Sequence, residues 1–102
     1  MAKVFVPNRS THDYTLAYEF GELVFCTEGN LNRKDIKSMT LALNAAMDCA
    51  TEEDYILITS LATLCGIACA IFASRFDCLN LLIFEDGQYI DRYITITDKE
   101  TT

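Results

Sequence analysis

The period of the hydrophobic positions changes several times along the chain, and each change marks an element. Val4-Phe5-Val6 is a short apolar run closed by Pro7-Asn8, a pair that favours an extended exit and a turn. A loop Arg9-Ser10-Thr11-His12-Asp13 follows, and Leu16, Ala17 and Phe20 then recur at helical spacing, which predicts a short helix over Tyr14 to Phe20 with Gly21 as its terminator. Glu22 to Thr27 reads as a second strand and Glu28-Gly29-Asn30 as its loop. Ile36, Met39, Leu43, Ala46, Met47 and Ala50 return every three or four residues. This pattern predicts an amphipathic helix from Arg33 to Ala50, capped by Asn32 with Asp35 at its third position. An acidic turn, Thr51-Glu52-Glu53-Asp54, leads out of it.

From Tyr55 to Ser74 no charged residue occurs, and the run admits two readings. A membrane-spanning helix needs about 20 apolar residues, so its length permits a span. Its internal grammar favours two elements. Tyr55 to Ile58 is β-branched and aromatic, Thr59-Ser60 offers caps, and Leu61 to Arg75 is rich in small and straight-chain residues that suit a helix. Neither flank carries the Lys/Arg cluster or the paired aromatic belts of a span, so the expectation is a soluble chain with no membrane contact. Cys78 to Phe84 is a fourth strand, Asp86-Gly87 signals a hairpin, and Tyr89 to Ile96 alternates as a half-wet edge strand does. Residues 97–102 read as a loose polar tail.

Strand, helix, strand, helix and strand from Glu22 to Phe84 form the repeating unit of a parallel α/β sheet. The expected architecture is one domain over residues 1–96. It is a small three-layer Rossmann-like parallel sheet with a β-α-β-α-β core and an antiparallel C-terminal hairpin strand at its edge. The pattern leaves the place and direction of the first strand open.

Charge and cysteine usage narrow the function classes. Fifteen acids against eight bases give a net charge of −7, which removes most of the attraction on which phosphate-backbone binding depends. Direct nucleic-acid binding is not expected, although an acidic surface that imitates nucleic acid stays open. Half the composition, 51%, is hydrophobic, rich for 102 residues, and a doubly covered sheet or an interface between copies would hide it. Five cysteines in apolar surroundings, with no CxxC pair, fit a reducing compartment, and the N-terminal apolar stretch is too short for a signal peptide. The expected location is the cytoplasm.

Ligands of an open α/β sheet collect beyond the carboxyl ends of its strands, near the reversal of strand order. The loops that should meet there supply the candidate ligand-binding residues Asn8, His12, Asp13, Thr27, Glu28, Thr59 and Ser60, with Arg9 and Ser10 beside them. His12, the only histidine, stands beside Asp13 and is the candidate general base, with Ser10, Ser60 or a water as the group it would activate; the simpler reading has the pair cap the helix near Tyr14. Thr59-Ser60 before a helix would receive a phosphate or carboxylate, or would act as an ordinary cap. No GxGxxG or Walker pattern occurs, so no nucleotide cofactor is expected. Asp13, Glu28, Glu85 and Asp86 would have to converge to hold a cation, and no metal is assigned. Cys65 and Cys69 read as core thiols on a smooth helix with Ala62, Gly66, Ala70 and Ala73, which a second copy could cover.

VFVPN at 4–8, HDY at 12–14, FGELVF at 20–25, DYILITS at 54–60 and LNLLIFEDGQYI at 79–90 resemble the cadence of short uncharacterised proteins encoded in bacteriophage genomes. The resemblance implies a viral setting and carries over no site residue. Three functions remain: a non-enzymatic protein-interaction or assembly module serving a phage or mobile element as an accessory protein, a small-ligand-binding protein or small enzyme with its site at the C-terminal edge of the sheet, and an acidic inhibitor of a host nucleic-acid-binding protein. The first implies a homo-oligomer or a host or viral protein partner.

Overall fold

The computed structural model describes residues 2–29 and 35–97. Within them, strands β1 (Lys3–Val6), β2 (Glu22–Phe25), β3 (Tyr55–Leu57), β4 (Cys78–Glu85) and β5 (Gln88–Thr95) form one sheet in the order β2-β1-β3-β4-β5. The first four are parallel to their neighbours and β5 runs antiparallel to β4. The chain is therefore mixed α/β. β1, whose place the sequence left open, is an interior strand between β2 and β3.

Alternation along the strands divides the core between two faces. Phe5 and Ile56 meet Met39, Leu43 and Met47 of α1 (Ile36–Ala46) and Leu64, Ala68 and Phe72 of α2 (Ala62–Phe76). Val4, Val6, Leu57 and Leu82 turn the other way and meet Tyr14, Ala17 and Tyr89. Phe5 and Phe72 are fully buried, and each contributes about 3 kcal/mol by leaving water.

Crossovers of one hand place connections that run in opposite directions on opposite faces of the sheet. The β1-to-β2 connection moves toward one edge, whereas those through α1 and α2 move toward the other. Both α-helices accordingly share one face, and the opposite layer consists of a 3-10 helix, Thr15–Phe20. This layer is thinner than the expected three-layer arrangement requires, because residues 7–21 must supply two loops as well as the helix. Gly21 closes it at φ 155°, where a Cβ would come within 2.1 Å of the Ala2 carbonyl oxygen.

Element ends depart from the sequence pattern for local reasons. The expected cap Asn32 and the first expected helical residues, Arg33 and Lys34, lie outside the described residues. Within them, Asp35 is the N-cap of α1, its carboxylate accepting from the Ser38 amide at 3.1 Å and the Ser38 hydroxyl at 2.8 Å. α1 ends at Ala46, short of the expected Ala50, as the Met47 carbonyl accepts from Arg75 of α2 and from the Ala50 amide in a turn toward β3. The uncharged run divides into β3 and α2 at residues 58–61, and no helix among the described residues is long and apolar enough to cross a membrane. Asp86 and Gly87 adopt φ of 51° and 80°, the left-handed pair that a tight hairpin between β4 and β5 requires.

Candidate functional site

Parallel β1 and β3 end side by side, and the chain leaves them in opposite directions. The loops beyond them open a crevice. A cavity of about 760 Å³ lies there, walled by Asn8, Arg9 and Ser10 after β1, by Gly29 after β2, by Thr59 and Ser60 after β3, and by Thr63 and Leu64 of α2. A second hollow of about 240 Å³ adjoins it and shares Ser10, Thr59 and Ser60 as a common wall. Its other walls are His12, Tyr14, Phe84 and Tyr89, over a floor of Leu57 and Ile58.

The post-β3 corner is held by a thiol. Cys65 Sγ accepts from the Thr59 amide at 3.3 Å and lies 3.4 Å from its hydroxyl, which accepts from the Leu61 amide at 3.2 Å. Thr59 thus braces the corner, and α2 begins with no side-chain cap. Amides in a helix's first turn have no intrahelical acceptor, and Thr63 and Leu64 of that turn are among the residues that line the larger cavity.

On the β1 side, Asn8 and Thr27 are both buried, and the Thr27 hydroxyl lies 2.8 Å from Asn8 Oδ1 and 2.8 Å from the Pro7 carbonyl oxygen. This contact fixes the base of the loop. The Arg9 amide donates to the Thr27 carbonyl at 2.8 Å, the Arg9 guanidinium lies 4.5 Å from the Phe25 ring centre, and Nη1 is 3.6 Å from Glu28 Oε1. Both partners of that ion pair are more than half exposed, so the pair orients Arg9 more than it stabilises the fold.

Of the residues that the sequence singled out, Asn8, His12, Thr59 and Ser60 line the two hollows. Thr27 supports the wall from behind, Glu28 faces solvent on Arg9, and Asp13 turns elsewhere. Asp13 Oδ1 accepts from the Thr15 amide at 2.9 Å and the Thr15 hydroxyl at 2.5 Å, and these bonds, the hydroxyl's first, hold its carboxyl below the usual range. These bonds close a turn just before the 3-10 helix, whose N-cap position is Tyr14. Ser10 Oγ engages the Tyr14 hydroxyl at 2.9 Å and accepts from the His12 amide at 3.2 Å, while His12 Nε2 lies 3.4 Å from the Tyr89 hydroxyl. Glu85 pairs with Arg92 at 3.7 Å, and among the described residues no three His, Cys, Asp or Glu side chains gather where a metal ion would fit.

Tyr14, Phe84 and Tyr89 are the site residues that periodicity alone did not raise. Phe84 and Tyr89 stand opposite each other in the β4–β5 register, and a two-residue turn at Asp86-Gly87 fixes that pairing. Counting back from the turn would have placed both rings at the carboxyl end of β4.

The sequence profile of the phage Pam3 gp32-like protein family matches residues 2–97. The chain belongs to that family. No curated protein and no solved structure matches it. Membership in the family accords with the phage-like cadence of the sequence and assigns no role to any residue of the crevice.

Proposed function

We propose that this member of the phage Pam3 gp32-like family is a small accessory protein that binds a small molecule at the carboxyl edge of its sheet. The carrying observation is the 760 Å³ cavity between the ends of β1 and β3, within the size range of small-molecule sites. The strand order 2-1-3-4-5 supports a doubly wound, Rossmann-like reading of the sheet, in which ligands collect at this reversal. Five unpaired thiols, Cys49 among them exposed, support a reducing compartment, which for a phage protein is the host cytoplasm.

Equilibrium dialysis against a small-molecule extract of host cells, read by mass spectrometry, tests the proposal. The wild-type chain retains a small molecule that Ser60→Trp, which fills the wall between the hollows, does not. Retention of nothing by the wild type, or equal retention by the folded variant, contradicts it.

A second reading, self-association, draws support from β5. The Ile96 amide donates to the Asp77 carbonyl across the ladder, so the alternate residues Tyr89, Asp91, Tyr93 and Thr95 turn their backbone groups toward the open edge. Tyr93, Ile94 and Ile96 are exposed there. Under this reading the chain sediments as a dimer and Tyr93→Pro as a monomer; a monomeric wild type contradicts it.

A further inference from the structure

Resting on the small-molecule reading above, we infer that the smaller hollow is an aromatic box for an organic cation, a quaternary or methylated ammonium head group whose remaining chain lies in the larger cavity.

Four rings bound the smaller hollow. His12 and Tyr14 stand 5.1 Å apart at 66°, His12 and Phe84 6.1 Å apart at 84°, and Phe84 and Tyr89 5.0 Å apart at 64°, the inclinations of adjoining walls. Tyr89 is buried and its cross-strand partner Phe84 is 46% exposed, which leaves an apolar ring at the mouth for a guest to cover. The negative face of a ring attracts a cation, and an ammonium taken out of water among several rings gains most. At about 240 Å³ the hollow is smaller than a site for a whole ligand, so it takes a head group. The wall Ser10-Thr59-Ser60 is common to both spaces, and the rest of the molecule passes it into the larger cavity.

A neutral planar guest would find the same rings, and charge decides between the two. No lysine or arginine lines the smaller hollow, and Arg9, in the wall of the larger cavity, is paired with Glu28. Asp13 follows His12 in the chain and Asp86 lies two residues beyond Phe84. Neither forms an ion pair with a lysine or arginine among the described residues. Burial first, then Tyr14 and the Asp13 carboxylate, push the Tyr89 phenol up, so negative charge outside the box is felt by its wall. The net charge of −7 gives the long-range field the same sign.

Amide and aromatic chemical shifts of the full chain, titrated with choline and with its neutral carbon analogue dimethylbutanol at about pH 8, on the neutral side of an ordinary imidazole, test the inference. Choline is expected to shift His12, Tyr14, Phe84 and Tyr89 saturably and to bind about tenfold more tightly than the alcohol. Phe84→Leu removes most of that advantage, and Phe84→Trp, which keeps a ring at the mouth, retains it. Equal affinities, choline shifts outside the hollow, or a folded Phe84→Leu chain that binds choline as the wild type does overturn the inference. If neither probe binds while the chain still retains a host molecule in dialysis, the ligand class is wrong and the binding reading survives. If neither binds and nothing is retained, both fail.

Discussion

The Tyr89 hydroxyl lies 3.4 Å from His12 Nε2, joining the post-β1 loop to β5 across 77 residues of sequence. Burial first, then the nearby Tyr14 and Asp13, push the Tyr89 phenol above its ordinary range. Tyr89→Phe should retain the ring packing and lose one long hydrogen bond, costing about 0.5–1 kcal/mol in urea unfolding. The His12 imidazole resonances should move in the same variant. Unchanged imidazole resonances would show that the contact is not made in solution.

Asp54 acts as a latch at the opposite end of the sheet. It is 1% exposed, accepts from the Lys3 amide at 2.8 Å and the Thr51 amide at 2.8 Å, and pairs with Lys3 Nζ at 3.2 Å. Asn80 of β4 holds the same turn through the Glu52 carbonyl at 2.8 Å. Asp54→Ala would leave two backbone donors and a lysine without their acceptor, and should cost about 3 kcal/mol in chemical unfolding. A loss below about 0.5 kcal/mol, the size of an ordinary surface substitution, would contradict the latch.

The thiols should divide by burial. Desolvation pushes Cys26 up to about 12, while Cys49 is exposed. Mass spectrometry after brief alkylation of the native chain at pH 9 should find Cys49 modified and Cys26 intact. The reverse order would refute the packing around Cys26. Because the folded chain retains a proton that an unfolded thiol with the ordinary value of 9.0 releases, the Cys26 contribution to stability declines as pH rises from 9.0 toward about 12.

Much of the fold was legible because strands and helices differ in hydrophobic period. The split of the uncharged run into β3 and α2, and the Asp86-Gly87 hairpin, follow from local chemistry. The interior position of β1 did not, since Val4-Phe5-Val6 is apolar on both faces and any interior slot would bury it. The 3-10 form of Thr15–Phe20 was hidden as well, because Leu16, Ala17 and Phe20 suit either kind of helix. Within the site, loop position alone raised Asn8, His12, Thr59 and Ser60. Asp54 reads in the sequence only as part of an acidic turn, because its role depends on Lys3, 51 residues away.

The central claim is that the crevice between β1 and β3 receives a small molecule. Intermolecular nuclear Overhauser effects between the molecule retained from host extract and the protein test it most directly. The account predicts contacts to Thr59, Ser60 and Thr63; contacts confined to the β5 edge would contradict it.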